Sequence, residues 1–187
     1  EAQDARIAQQ RFLQLAARRQ LTGYYALLSA MSEPGGKCPE FSADNDEFYW
    51  LVGLLDGIQA TINDIASGGQ VEVPMDIAAK VGRGAGCLDT ERWWGVPAAI
   101  QAAIWITIPG NEPVDIDPRL VLQQSIQMGA EQGMAVSHVL AAKIYLGQGK
   151  TAELKQLIRN YVEQSSSAIK KQKFAVLNQV ARVQIQA

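Results

Sequence analysis

Apolar side chains recur three and four residues apart along most of the chain, which is the spacing of an amphipathic helix. The first clear stripe has arginines and glutamines on the opposite side and consists of Leu13, Ala17, Leu21, Tyr24, Leu28 and Met31. It predicts a first helix over residues 2–31. The sequence contains no alternating run of β-branched and aromatic residues bounded by a hairpin turn, so we do not expect strands.

A loop rich in proline and glycine, SEPGGKCPEFSA, separates this helix from a second one. We expect the second helix to begin at Asp44, whose carboxylate can cap the first turn while Glu47 reaches back to the cap. The glycine pair at residues 68–69 should end it. Gly53 and Gly57 lie four residues apart, which predicts that another backbone approaches closely on that side.

Two different helices are predicted in the middle of the chain. The first covers residues 75–88 and contains three glycines, so it depends on packing by its neighbours. The second begins near Pro97, a residue suited to a first helical turn, and ends before Pro109. Because it has almost no polar face, we expect it to be the most buried helix of the protein.

Four more helices are predicted after residue 116, and the last of them includes Ile169. The residues that cap or separate them are Asp117, Gly133, Gly149 and Thr151. The connections are short, which makes successive helices antiparallel neighbours. The sequence therefore predicts an all-α protein of about eight helices, stacked as antiparallel hairpins in a single helical domain over residues 1–187.

Composition and charge exclude several classes of protein. A net charge of -2 over 187 residues gives no basic excess for nucleic acid. The longest strongly apolar stretch, residues 96–109, is shorter than the roughly 20 residues that span a bilayer, so we expect no transmembrane segment. The chain starts at Glu1 rather than Met, which favours a mature periplasmic or otherwise extracytoplasmic protein after removal of a signal peptide; a chosen expression boundary is the alternative.

The two cysteines, Cys38 and Cys87, allow one disulfide in an oxidising compartment. Cys38 lies in the loop after the first helix, and Cys87 ends the glycine-weakened helix, so a bridge would support both. Two unpaired buried thiols are the alternative. The sequence has no CxxC motif and no cluster of cysteine and histidine, so we expect no structural zinc.

Motifs for catalysis, phosphate or metal are weak or absent. His138 is the single histidine, and we interpret it as structural or exposed, since no nucleophile lies beside it in the sequence. The run GRGAG at residues 82–86 lacks the preceding strand and the lysine of a phosphate loop, and it fits close helix packing better. Asp115 and Asp117 resemble only a fragment of a calcium loop. We therefore expect a protein that is not an enzyme and has no cofactor or metal.

Aromatic residues in the middle third of the chain are the best candidates for a ligand site. Aromatic side chains with a few polar groups line many small-molecule pockets. Arg92 adjoins a tryptophan pair, and Asp56 lies in an otherwise apolar helix, where it either faces solvent or pairs with Arg83 or Arg92. The predicted ligand-binding residues are Tyr49, Trp50, Asp56, Arg92, Trp93, Trp94 and Trp105. Core packing would account for the tryptophans just as well.

A short stretch, LAAKIYLGQGKTAELKQL at residues 140–157, resembles a tetratricopeptide-type helical hairpin. Ala142, Tyr145 and Gly149 match the spacing of that hairpin, whereas Leu154 stands where such repeats usually have alanine. The chain contains no second clear copy, so a regular array is not expected. The fold is accordingly predicted as a divergent tetratricopeptide-like bundle.

A broader resemblance covers about residues 24–162. A helix containing YWLVGLLDGI precedes a glycine-interrupted helix ending CLD, then ERWWGVPAAIQAAIWITIPG, then the hairpin above. This order is similar to the T-component of tripartite ATP-independent periplasmic (TRAP) transporters. The resemblance implies a periplasmic helical adaptor that binds a small apolar or amphipathic ligand, a solute-binding protein, or both. The alternative function is a structural protein-interaction scaffold of a bacterial envelope or secretion complex.

Overall fold

The computed structural model describes residues 2–108, 110, 112–165 and 175–186, and every regular element in these ranges is an α-helix. The predicted all-α class and the number of eight helices are confirmed for these residues. Ile169, which was assigned to the last predicted helix, lies outside them. The helices are α1 (Ala2–Ala30), α2 (Asp44–Ala66), α3 (Asp76–Ala85), α4 (Val96–Thr107), α5 (Pro118–Gln132), α6 (Val136–Gly147), α7 (Thr151–Ser165) and α8 (Ala175–Gln186).

The chain forms two compact units, Glu1–Leu88 and Asp89–Ala187. The first unit contains α1 to α3, and the second contains α4 to α8. The single domain expected from the sequence stays a prediction.

In the first unit, α1 and α2 pack as an antiparallel hairpin whose seam depends on glycines. A Cβ atom at Gly53 would lie 2.5 Å from the Leu27 side chain, and one at Gly57 would lie 2.8 Å from the ring of Tyr24. The space beside Gly53 and Gly57 is therefore filled by side chains, and the close approach of another backbone stays a prediction. A larger residue at either position would require these side chains to shift.

The start of α2 differs in detail from the prediction. The N-cap is Ala43, and Asp44 is already the first helical residue. The carboxylate that reaches back belongs to Asp46, whose Oδ2 accepts from the backbone N–H groups of Ser42 and Ala43 at 2.9 and 3.0 Å. The capping assignment of Asp44 and Glu47 was therefore wrong, because three acidic residues compete for one role in this first turn.

In the second unit, α4 packs against α5 and α6, and α7 and α8 pack against α6. Among the eight helices, α4 alone has no exposed residue in the described part of the chain, which agrees with the burial predicted for it. α4 and α6 each have seven buried residues out of twelve. The start of α4 follows Gly95, which has φ +79° and lies so close to Ser125 that a Cβ would be 2.8 Å from the Ser125 carbonyl oxygen.

The predicted helix boundaries in this unit are largely confirmed. Asp117 caps α5, because its Oδ1 accepts from the backbone N–H of Arg119 at 2.9 Å. Gly133 separates α5 from α6 with φ +74°. Thr151 was predicted to be the N-cap of α7. It is instead the first helical residue, one position after the N-cap.

Candidate functional site

Trp50, on α2 of the first unit, is a core residue. Its side chain is 1% exposed, and its indole N–H donates to the carbonyl oxygen of Gly84 on α3 at 2.9 Å. The ring also meets Phe41 edge to face, with 6.2 Å between ring centroids. The indole N–H of this predicted ligand-binding residue is therefore already bonded within the core. Tyr49, the preceding residue, is 61% exposed and points away from this core.

Asp56 lies on α2 two turns after Tyr49 and is only partly exposed. In the described part of the chain, no hydrogen bond or ion pair reaches its carboxylate, so it is not paired with Arg83. The Nε of Arg83 instead donates to the carbonyl oxygen of Gly35 at 3.1 Å. Burial raises the pKa of Asp56 to about 6. Its neighbour across the seam is Gly23 of α1.

The other predicted ligand-binding residues belong to the second unit. Trp93 and Trp94 are buried and meet at right angles, with 5.3 Å between their ring centroids. The Arg92 guanidinium carbon lies 5.9 Å from the centre of the Trp93 ring, within cation–π distance. Trp105, on α4, is partly exposed. The structure therefore joins Arg92, Trp93 and Trp94 into one cluster, and the ligand-binding role of all seven residues stays a prediction.

Cys38 and Cys87 form a disulfide within the first unit, with their Cα atoms 5.5 Å apart. Two further contacts hold the same loop against α3. A Cβ at Gly84 would lie 2.8 Å from the Pro34 ring, and the Lys80 ammonium pairs with the Glu33 carboxylate at 2.5 Å. The contact at Gly84 confirms that the GRGAG run serves close packing.

His138 on α6, interpreted from the sequence as either structural or exposed, is buried. The ring is 1% exposed, packs against Tyr161 of α7 with 5.3 Å between centroids, and has no hydrogen-bond partner at either nitrogen within the described residues. Burial lowers its pKa to about 4. The hydroxyl of the adjacent Ser137 is likewise buried and unpaired in the described ranges. A signal was available, because the residues around His138 in the first half of α6 are almost all apolar.

The contacts of Asn178 on α8 were not predicted from the sequence. Its Oδ1 accepts from the backbone N–H of Ala135 at 2.9 Å, and its Nδ2 donates to the carbonyl oxygen of Gly133 at 2.7 Å. These two bonds fix α8 against the turn between α5 and α6. No local signal identifies such a contact, since the partners are more than 40 residues apart in sequence.

Metal-ligating side chains do not gather at any one place in the described residues. Among these residues, no group of three or more His, Cys, Asp or Glu side chains is placed to hold a metal ion. None of the described helices is long and apolar enough to cross a membrane.

Comparison with known proteins adds no relative. No family model matches the chain, and neither does any curated protein or solved structure. The likeness to the TRAP transporter T-component therefore stays a hypothesis from the sequence.

Proposed function

We propose that this protein is a non-enzymatic helical adaptor of an extracytoplasmic compartment and that it binds a helix of a partner protein through α8. The resemblance to the TRAP T-component suggests a solute-binding protein as that partner. The observation that carries the proposal is a row of exposed valines on α8, called here the valine row: Val176, Val180 and Val183.

The valine row is apolar, continuous and held outward. Its side chains are 75%, 50% and 58% exposed, and their spacing of four and three residues places them on one face of the helix. The opposite face is fixed to the rest of the unit by the buried Ala181 and by the Asn178 bonds. Single exposed apolar residues are ordinary on protein surfaces, but three in one row form a strip that a partner can cover.

The composition of α8 indicates a helical partner. The only charged residue in the sequence of Ala175–Gln186 is Arg182, and among residues 175–185 the exposed polar ones are Gln179 and Gln184. A helix that lays its own apolar face into such a strip uses the same spacing of three and four residues. Covering each valine would contribute about 1 kcal/mol, since these side chains are already partly buried.

The disulfide supports an extracytoplasmic location. Cys38 and Cys87 are joined in this bond. Disulfides persist in oxidising compartments, whereas cytosolic thiols are kept reduced. The bridge adds to the contacts that Glu33, Pro34 and Phe41 already make between this loop and the helices of the first unit. This observation is independent of the valine row.

The alternative that this adaptor binds a small ligand has less support than the binding of a partner protein. Trp50 and Trp93 are 1% and 2% exposed, so a ligand could touch them only after the surrounding helices separate. The alternative of a structural scaffold uses the same protein-binding surface and differs only in the complex that it serves.

Site-specific photo-crosslinking in the protein's own host tests this proposal. A photoreactive residue at Val180 should give one dominant adduct with another protein, and the same residue at exposed Gln124 of α5 should not, because Gln124 lies on a different helix from the valine row. Adducts of equal yield at both positions, or adducts only between copies of this chain, would contradict the proposal. Mass spectrometry of the adduct then identifies the partner.

A further inference from the structure

We propose that the N-terminal part of α1 is a self-association surface, on which a second copy of this chain packs its own α1 in the antiparallel orientation. The surface, called here the α1 strip, consists of Ala5, Ala8, Phe12 and Leu15. It belongs to the first unit, whereas the valine row belongs to the second, so either proposal can fail without the other.

The N-terminal part of α1 extends past the end of α2. Asn63, in the last turn of α2, donates a hydrogen bond to Gln20 of α1 at 2.7 Å. Ala17 is the first buried residue in the described part of α1, and every residue from 3 to 12 is exposed. Helices shorter than about 12–15 residues are only marginally stable in water without a packing partner. A second helix packed against this exposed stretch would therefore stabilise it.

The α1 strip is apolar and follows the spacing of a helix–helix seam. Its members are separated by three, four and three residues, which places them on one face of the helix. Phe12 and Leu15 are 72% and 45% exposed, and Ala5 and Ala8 are exposed as well. The strip therefore presents two large apolar side chains that no other described part of the chain covers.

The order of small and large residues in the strip fits an antiparallel copy of itself. When the two helices run in opposite directions, Ala8 of one copy lies beside Phe12 of the other. Ala5 lies beside Leu15 of the second copy in the same way. Each layer then joins a small and a large side chain, which permits close packing. A parallel pair would put Phe12 against Phe12 and Ala8 against Ala8, so that one layer would be overfull and the next would leave a void.

The charges beside the strip favour the same orientation. Asp4, Arg11 and Arg18 are seven residues apart and lie along one flank of the strip, where charges select the partner of a coiled helix. In the antiparallel pair, Asp4 of each copy lies beside Arg18 of the other, which brings opposite charges together at both ends. Arg11 meets Arg11 at the centre, and this repulsion makes the dimer weak and reversible. The other flank, Gln9 and Ala16, carries no charge.

A second copy fits this surface better than an anionic membrane does. Membrane-surface helices combine a large apolar face with basic residues. Half of the α1 strip is alanine, which adds little apolar area to a bilayer contact, and Asp4 would be repelled by anionic headgroups. The mixed charges and the small residues are both used when the strip pairs with itself.

Sedimentation equilibrium of the full chain, up to about 1 mM, tests the dimer. We expect a reversible monomer–dimer equilibrium in the wild type. Phe12→Asp should weaken association at least tenfold, because it places a carboxylate in both layers with Ala8. Gln10→Asp is the matched control and should associate like the wild type, since Gln10 is exposed and lies about 200° around α1 from Phe12.

Three results overturn the proposal: a wild type that stays monomeric at this concentration, a dimer that survives Phe12→Asp, and a monomeric wild type that cosediments with phosphatidylglycerol vesicles. Because Phe12 is exposed, the circular dichroism spectrum of Phe12→Asp should match that of the wild-type monomer.

An exchange of charges tests the orientation and the register. Asp4→Arg and Arg18→Asp each place like charges at both ends of the pair and should weaken association several-fold. The double variant restores opposite charges across the pair and should recover most of the wild-type association. Asp4 and Arg18 of one chain are about 21 Å apart along the helix, so the recovery cannot arise within a single chain. A double variant as weak as the weaker single variant overturns the antiparallel pairing.

Discussion

Asn178 and Ala135, 43 residues apart in sequence, are joined by a hydrogen bond of 2.9 Å from the Ala135 backbone N–H to the Asn178 side chain. The same amide donates to the carbonyl oxygen of Gly133 at 2.7 Å. One side chain therefore holds α8 against the turn that begins α6. The outward position of the valine row depends on this contact.

Removal of this contact should loosen α8. Asn178→Ala leaves a half-buried backbone donor and acceptor without their partners, which should lower the free energy of unfolding by about 1–3 kcal/mol. Chemical denaturation measures the change, and hydrogen exchange should show faster exchange in α8. Gln179→Ala, on the exposed side of the same helix, is the control and should change stability little. Equal effects of the two variants would mean that the Asn178 bonds do not hold the helix.

The Cys38–Cys87 disulfide should stabilise the first unit. It closes a loop with a sequence separation of 49, and loss of such a bond typically lowers stability by about 2–4 kcal/mol. The double variant Cys38→Ser/Cys87→Ser, compared with the unreduced protein by denaturation, measures this contribution. Thiol titration of the denatured, unreduced protein checks the bond itself, and two free thiols would show that it does not form.

Asp56→Asn should stabilise the protein at neutral pH. Burial raises the pKa of Asp56 in the folded state to about 6 from an ordinary value of 3.8, so the folded chain disfavours the charged form. The loss of folding stability caused by the charged Asp56 carboxylate is therefore largest above pH 6, and it disappears as the pH falls towards 3.8. At pH 7.5 the variant should gain about 1–2 kcal/mol, a value reduced for partial exposure, and at pH 3.5 it should gain almost nothing. A gain that does not depend on pH would show that the charge is not its cause.

His138 should make the protein less stable in mild acid. Burial lowers its folded-state pKa to about 4 from 6.5, so the unfolded chain binds the proton more tightly. The contribution of His138 to the free energy of unfolding should be fully present above pH 6.5. The free energy of unfolding should then fall by on the order of 3 kcal/mol as the pH approaches 4. His138→Phe keeps a ring against Tyr161 and should remove this loss. Since the chain has a single histidine, an unchanged pH profile in the variant would assign the loss to carboxylates.

The sequence predicted the helices well because their signals are local. The spacing of apolar residues, the glycine breaks and the Asp117 cap each act within a few residues of the chain. The sequence also indicated close packing at Gly53 and Gly57, since glycines four residues apart on one helix face leave room beside the helix. It did not indicate that the side chains of Leu27 and Tyr24 fill this room. The start of α2 was assigned to the wrong carboxylates because Asp44, Asp46 and Glu47 offer nearly equal local choices.

The candidate site was less predictable because it depends on contacts between distant residues. The bond from Trp50 to Gly84 spans 34 residues, so no local pattern shows that the indole N–H of this predicted ligand-binding residue is used within the core. The sequence singled out Asp56 correctly as an unusual carboxylate, but the glycine opposite it, Gly23, becomes visible only when α1 and α2 are placed together. Asn178 has no sequence signal at all.

Binding of the partner to variants of α8 tests the adaptor function most directly. With the partner identified by crosslinking at Val180, isothermal calorimetry compares the wild type with Val180→Glu and with Gln124→Glu, which adds the same charge at an exposed position of α5. We predict that Val180→Glu weakens binding by about tenfold or more, because a carboxylate replaces an apolar contact, and that Gln124→Glu binds like the wild type. Equal affinity of all three proteins would contradict the proposed role of the valine row.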